Sequence, residues 1–439
     1  MDIALGNEPP ARSYARVRVA PGTLTTVALW IGSIVVARVW GLSLVESGEK
    51  IRLNAVPLFG RIDPILDLAV IPAVLAAGLL VWFLPVAAAS LPWRGLLLVA
   101  PVAAAAWSVA LAVTRGWSSL TQPLLDRHDY LVALPATGDP GFLSSFADKL
   151  WTYPIHVQGH PPGMLLLLRM LENAGLAGAG WASAAVIGIG VSTVTAVLVT
   201  VRVLADERRA RACAPFLVLT PAAVWIATSA DAIFMGAAAW AVALMALAAA
   251  ARHGRGLVTA VGAGVLAAAA AFLSYGAVAL ATLTVALPRS SRTALRLLVA
   301  AGAAIAVGLV FYVNGFSWFD GLAATIHRYE TGVSSTRPFG FFAFNNLVAF
   351  SLVLGPAVLY ALVRLRDATI WWIAGAALAS VLVSNLSGLS KGEVERIWLP
   401  FAPWLMVAAC AIPLGLRRRW LAAQAALALG IQMLVRTPW

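Results

Sequence analysis

From Leu24 almost to Trp439 the chain repeats one pattern: long apolar runs separated by short polar stretches in which arginines bunch together. Runs of about 17–25 apolar residues are long enough, as helices, to cross a hydrocarbon core of about 30 Å. Thirteen such runs are expected, at about 24–44, 67–88, 95–114, 180–201, 214–230, 232–251, 256–273, 275–288, 296–314, 345–363, 368–386, 398–415 and 420–436. No polar stretch between them is long enough for a separate soluble unit. The expected fold is therefore all-α, a polytopic transmembrane helical bundle forming a single domain over 1–439. The first run starts late, is long and lacks a small-residue cleavage site, so it reads as a retained span rather than a signal peptide.

The charges sort with these runs. Arg12, Arg16 and Arg18 precede the first run. Alternate loops then hold Arg94; Arg202, Arg208, Arg209 and Arg211; Arg252 and Arg255; Arg289, Arg292 and Arg296; Arg364 and Arg366; and Arg417, Arg418 and Arg419. These are 18 of the 31 basic residues, accompanied by only Asp2, Glu8, Asp206, Glu207 and Asp367 among the 19 acids. Lys and Arg accumulate on the cytoplasmic side of membrane proteins. The expected orientation thus has a cytoplasmic N-terminus in a multi-pass protein of the plasma membrane.

This orientation holds only if the apolar stretch Met164 to Leu171 does not cross. It is expected instead as a short helix along the outer surface, carrying Arg169 and Glu172, with Pro161 or Pro162 in its first turn, where a missing N–H costs little. The outer segments are then about 115–179, 315–344 and 387–397, with a smaller one at 45–66. Four of the five histidines (His128, His156, His160 and His327) and most acids fall in them.

Composition agrees: 61% hydrophobic and 11% charged residues, against about 45–50% and 25% in soluble domains. The net charge of +12 comes from the interhelical arginine clusters, so nucleic acid is not an expected partner, whereas membrane lipids are. Cys213 and Cys410 offer neither a disulfide framework nor a thiolate metal site. The 17 tryptophans suit interfacial belts, and tracts such as Ala267 to Ala271 suit close helix packing.

Four places can carry chemistry. Asp126-Arg127-His128-Asp129-Tyr130 lies just beyond a span, where charged groups are costly unless they face a cavity or partner. A carboxylate beside a histidine is material for a general base; a salt bridge of Asp126 or Asp129 with Arg127 or another loop cation is the plainer reading. Gln158-Gly159-His160-Pro161-Pro162-Gly163 closes the same outer segment. Asp231 follows Thr228-Ser229-Ala230 in a tight hairpin, where capping the next helix is the plainer reading. Lys391-Gly392-Glu393-Val394-Glu395-Arg396 puts two carboxylates and an arginine before a span. Arginine can hold two phosphate oxygens at once, while internal pairing with Glu393 or Glu395 is the plainer reading. His327-Arg328-Tyr329-Glu330, with Arg337 nearby, adds a less specific basic and aromatic cluster.

In this order the elements resemble the C-type (GT-C) membrane glycosyltransferases, in the group of protein O-mannosyltransferases and lipid A aminoarabinose transferases. Asp126 with Tyr130 matches the aspartate motif of the first large outer loop. His160-Pro161-Pro162-Gly163 matches its His/Lys-Pro-Pro-Leu turn. Thr220-Pro221 followed by Asp231 matches the next hairpin, and Glu393 to Pro400 the late Glu-x-Arg-Tyr-x-x-Pro segment. The resemblance spans about 115–405. Arg127 replaces a usual glutamate, Gly163 a leucine and Ile397 a tyrosine, and two extra spans precede the first loop.

The resemblance implies transfer of a sugar from a polyprenyl-phosphate donor to a hydroxyl of a glycan, lipid or protein acceptor on the extracytoplasmic face, with inversion. Asp126 is the favoured base and Asp129 its competitor. His160, Arg396 and Arg328 are the expected phosphate-binding residues. Tyr130, Asp231, Glu393 and Glu395 are expected to orient the acceptor or the site. A required metal has no convincing ligand spacing, which leaves a divalent cation open and no cofactor assigned. The Ala, Arg, Val and Trp richness suits a GC-rich, actinobacterial-type genome, for which mannose or arabinofuranose is the expected sugar. A secondary transporter or lipid flippase is the alternative, although its charged sites would lie near the bilayer midplane; a non-enzymatic envelope scaffold is the third reading.

Overall fold

The computed structural model describes residues 21–252 and 254–439. The charges expected at Asp2, Glu8, Arg12, Arg16 and Arg18 lie outside the described residues. The principal helices are α1 (Pro21–Glu46), α2 (Ile71–Ser90), α3 (Trp93–Ala112), α4 (Gly163–Asn173), α5 (Ala179–Leu204), α6 (Glu207–Val218), α7 (Asp231–Ala250), α8 (Arg255–Leu273) and α9 (Ser291–Val313). They are followed by α10 (Trp318–Thr331), α11 (Phe339–Leu354), α12 (Pro356–Arg364), α13 (Ala368–Leu386), α14 (Val394–Ile397) and α15 (Arg417–Leu434). Two short antiparallel strands, β1 (Arg61–Ile62) and β2 (Val435–Arg436), pair near one end.

Among the described residues, nine helical stretches are long and apolar enough to cross a membrane: those in α1, α2, α3, α5, α7, α8, α9 and α13, and the run Val394–Ala411. The chain is an all-α, multi-pass membrane protein. The expected run 345–363 is a pair, α11 and α12, bent by 100°. The runs expected at 214–230, 275–288 and 420–436 are not among the nine. Helix α6 stops ahead of Thr220-Pro221, where proline removes a donor, and its continuation to Ile226 is buried. The indole of Trp107 donates to the Thr220 carbonyl at 3.1 Å, giving the broken backbone a partner. Irregular backbone at membrane depth persists where protein supplies its hydrogen bonds. Residues 275–286 form tight 3₁₀-type turns rather than a span-length α-helix.

Small residues set the packing. A Cβ on Gly264 would overlap the backbone of Ala300, so α8 and α9 touch through bare backbone there. At the end of the bundle carrying Arg202 to Arg211, Arg209 pairs with Asp206 and Asp367. Arg202 and Arg211 pair with Glu207 and lie against the Trp93 ring. Arg296 donates to the Ala249 and Ala251 carbonyls, capping the end of α7. The candidate site lies at the opposite end, where α7 begins.

The Met164 to Leu171 stretch forms α4, only 11 residues long and too short to cross. Both prolines precede it, Pro162 at its cap. Arg169 pairs with Glu172 and donates to Thr137, tying the helix to the preceding loop. Gly163, which departs from the leucine of the family turn, has a steric reason: a Cβ there would run into the Phe272 carbonyl at the end of α8.

Candidate active site

Asp231 opens α7, and its plainer reading as a helix cap gives way to another arrangement. Ser229 Oγ accepts the first helix N–H, that of Asp231, at 3.2 Å, while the Asp231 carboxylate accepts from Ser229 Oγ at 2.7 Å and from Arg396 Nη1 at 2.8 Å. The other arm of Arg396, Nη2, donates to Glu393 at 2.7 Å. The Asp231 and Arg396 side chains are only 3% and 6% exposed. Charges so far from water require a paired, hydrogen-bonded arrangement, and the fork geometry of arginine supplies it from one side chain.

The late segment is shaped to aim these groups. Gly392 and Glu393 both adopt left-handed backbone, with φ of 91° and 61°. That conformation is unusual for a residue with a side chain and recurs at functional sites. It turns the chain into α14 so that Glu393 and Arg396 meet, as internal pairing anticipated. Glu393 lies just outside the span. Its burial works to raise the pKa, but Arg396, His156 and Arg337 outweigh this and hold the carboxyl below the usual range. Glu395, the other acid expected to pair with Arg396, instead accepts the Phe59 N–H at 2.8 Å, fixing the 55–63 loop.

The first outer loop brings in Asp129, Tyr130, His156 and His160. Asp129, 7% exposed at its side chain, accepts from Tyr130 N at 2.7 Å and from His156 Nδ1 at 3.0 Å. His160 Nδ1 lies 2.8 Å from the His156 carbonyl and 2.9 Å from the Tyr130 hydroxyl. A carbonyl only accepts, so Nδ1 carries the proton and Nε2 is the acceptor of the neutral ring. Burial lowers the His160 pKa, with the Asp231 charge opposing it. Burial, together with the Asp231 and Asp129 charges, raises the Tyr130 phenol well above its ordinary value.

Asp126 stands apart from this buried group. It is 48% exposed, and its Oδ1 takes both the His128 N–H, at 2.8 Å, and His128 Nδ1, at 2.6 Å. Its partial burial would raise the pKa, but the His128 contacts and the more distant His156 bring it below the usual carboxylate value. The pairing expected within the loop is thus present, with His128 on Asp126 and His156 on Asp129 rather than Arg127.

Cations line another side. Arg328 Nε donates to Gln158 at 2.6 Å, and Lys391 Nζ to the Ser334 carbonyl at 3.1 Å. Arg337 donates to the Lys391 carbonyl, yet its buried Nε lacks a partner. Burial lowers the pKa of both arginines, Glu393 opposing it in each. His327 and Glu330 project from α10 into solvent, outside the cluster.

Several members were missed in the sequence reading. His156 appears there only among the outer-segment histidines, and Arg337 only as a neighbour of the His327 to Glu330 cluster. Asn345 donates to the Pro57 carbonyl, while Asn346 donates to Asn385 and the Ser390 carbonyl and accepts from Gly392 N. Two adjacent asparagines inside the apolar stretch of α11 were the available signal, since such groups need partners in a membrane. Phe59 and Trp439 carried no signal beyond being aromatic. Among the described residues no three His, Cys, Asp or Glu side chains are grouped to hold a metal ion.

No protein-family model matches the chain, and no curated protein matches its sequence. Among solved structures it is similar to the Archaeoglobus fulgidus oligosaccharyltransferase complexed with zinc and sulfate, with 14% identity, a TM-score of 0.47, and coverage of 77% of this chain and 54% of that one. It is also similar to the same enzyme tethered to an acceptor peptide, with 15% identity, a TM-score of 0.39, and coverage of 72% and 49%. The chain thus spans about half the length of these neighbours. At such distances the site residues, rather than the neighbours, carry the functional reading.

Proposed function

We propose that the chain is a GT-C-type membrane glycosyltransferase, transferring a sugar from a polyprenyl-phosphate donor to an acceptor hydroxyl on the extracytoplasmic face with inversion. The observation that carries this reading is the convergence of four separate motif segments on one end of the bundle. Asp129 and Tyr130, His160, Asp231, and Glu393 with Arg396 come together although they lie far apart in sequence.

Asp126 is the base in this reading. It is half exposed and so open to an incoming acceptor, and His128 occupies one of its carboxylate oxygens. It takes the hydroxyl proton as the oxygen attacks the anomeric carbon and the lipid phosphate leaves from the opposite face. One base suffices, unlike the paired carboxylates of retaining glycosidases. Asp129 orients His156 and Tyr130, and is the base if Asp126 is not. Asp231, Glu393, Glu395 and Tyr130 hold the site in shape.

Both fork arms of Arg396 are engaged by carboxylates, so it adds positive charge without offering a free clamp. The leaving phosphate meets Arg328, together with Arg337 and Lys391, and His160 lies further in. Arg337 is buried and Arg328 and Lys391 are half-buried, and cations withdrawn from water without a direct acidic partner favour an anionic ligand. A lipid tail has a matching compartment: an apolar cavity of about 890 Å³ between α7, α8, α9 and residues 275–287, lined by residues such as Val242, Ala267, Leu280, Ala304 and Trp318. The break between α11 and α12 is a feature shared with transporter folds, but the paired charges lie at helix ends rather than at mid-span.

The test is to incubate the purified protein with a panel of polyprenyl-phosphate sugars and acceptors. Consumption of one donor, with inverted configuration in the product, is expected. Failure of every donor to be consumed, with the protein folded, would overturn the reading.

A further inference from the structure

The segment 433–439 is built into the site. Asp63 N and Ile65 N donate to the Leu434 and Met433 carbonyls at 2.9 and 2.8 Å, and β2 then pairs with β1. Gly60 lets the two strands approach: its φ is 143°, and a Cβ there would meet the Arg436 carbonyl oxygen at 2.6 Å. Asp63 anchors the pair by ion contacts to Arg61, Arg115 and Arg436. This places the Trp439 indole against the centre of the cluster. It stacks on Phe59 with ring centroids 5.0 Å apart, and the Arg396 guanidinium lies 4.5 Å from its centroid. His156 is 6.1 Å from it. Phe59 is in turn fixed through its own N–H by Glu395.

We propose that Trp439 is a positioning residue: its ring face fixes the plane of the Arg396 guanidinium, so that one arm serves Asp231 and the other Glu393. The physical need is specific. Arg396 Nε is buried without a hydrogen-bond partner, so the two Nη contacts alone leave the fork able to swing about its long axis. A flat, electron-rich face against the guanidinium plane removes that freedom and supplies electrostatic attraction where water is excluded. Once the fork swings, Asp231 beside His160 and Glu393 beside the cationic side lose their alignment together. A plain aliphatic filler would keep water out without holding the plane. Trp439 contacts no reacting atom; it acts through Arg396.

The activity arm of the test rests on the glycosyltransferase reading, and a second arm does not. In the purified full chain, Trp439→Leu should stay folded at a lowered melting temperature and lose about 10- to 100-fold in kcat with donor KM nearly unchanged, the signature of misplaced rather than unbound substrate. Trp439→Phe, which restores a ring face, should recover most of the loss. Equal activity of the Leu and Phe variants, or a loss confined to KM, overturns the proposal. If the wild-type protein transfers no sugar at all, the glycosyltransferase reading falls separately, and thermal melting of Trp439→Leu, Arg396→Met and the double variant decides. Non-additive shifts support the coupling and additive shifts overturn it.

Discussion

Arg396 and Asp231 lie 165 residues apart in sequence and meet at 2.8 Å inside the protein, with Glu393 on the other arm of the same guanidinium. Removing one member of a buried ion pair leaves the other charge uncompensated, a loss of about 3–5 kcal/mol. Arg396→Ala should therefore lower the melting temperature sharply and abolish activity. Arg396→Lys, with a single charge centre and no fork, should recover only part of either. Thermal melting in detergent measures this, and a stable Arg396→Ala protein would show that the pair is not the organising contact.

Asp126→Asn keeps the shape and removes the base. General-base catalysis is worth about 10²–10⁴ in rate, so turnover should fall by that amount while donor binding persists. Asp129→Asn should cost less. Inverted results would place the base at Asp129, and full activity of both variants would end the mechanism proposed for this loop.

Arg328→Gln and Arg337→Gln each remove a cation facing the proposed phosphate. Each should raise donor KM about tenfold, equivalent to about 1.4 kcal/mol, with a smaller change in kcat. A titration of polyprenyl phosphate against the two variants checks this. Unchanged affinity in both would move the phosphate elsewhere.

The pH dependence follows from His160. Its pKa in the folded protein lies below the ordinary 6.5 because burial disfavours the charged ring. A depressed pKa means that the unfolded chain takes up its proton first, so stability is full above about 6.5 and is lost as pH falls through the lower folded value. Melting temperatures measured across this range should decline on the acid side, and His160→Gln should flatten that part of the curve. Below about 4.5 a second decline follows from Glu393 and Asp126, whose folded pKa values are also depressed.

The proposed orientation is checked with single cysteines. Lys149→Cys, on the site end, should react with an impermeant thiol reagent in intact cells, and Arg419→Cys, on the arginine-rich end, should not. The reverse pattern would invert the protein in the membrane.

Periodicity and length made the apolar helices legible, because a span needs a contiguous apolar run whatever its neighbours do. The departures came where tertiary contacts replace contiguity: the break at Thr220-Pro221 is met by Trp107, and the left-handed backbone at Glu393 is written in no local pattern. The acids and histidines of the site were visible as costly groups beside a membrane. How they divide was not. Asp126 and Asp129 are three residues apart, yet one is half exposed and the other buried against His156, a difference made by the turn between them. At Gly163 the absence of a side chain is dictated by the Phe272 carbonyl, a contact distant in sequence that no local motif contains.

The bend between α11 and α12 has a consequence for biosynthesis. Its loosened backbone is satisfied by the buried Gln424 amide, which accepts from Ala357 N at 3.2 Å and donates to the Leu354 carbonyl at 2.9 Å. In lipid an unsatisfied backbone group costs several kcal/mol. While the ribosome is still making the chain, residues 354–357 thus have no permanent partner until the stretch around residue 424 has been synthesised and docked. The bend is thus completed only once the last helix, α15, is made and packed against it.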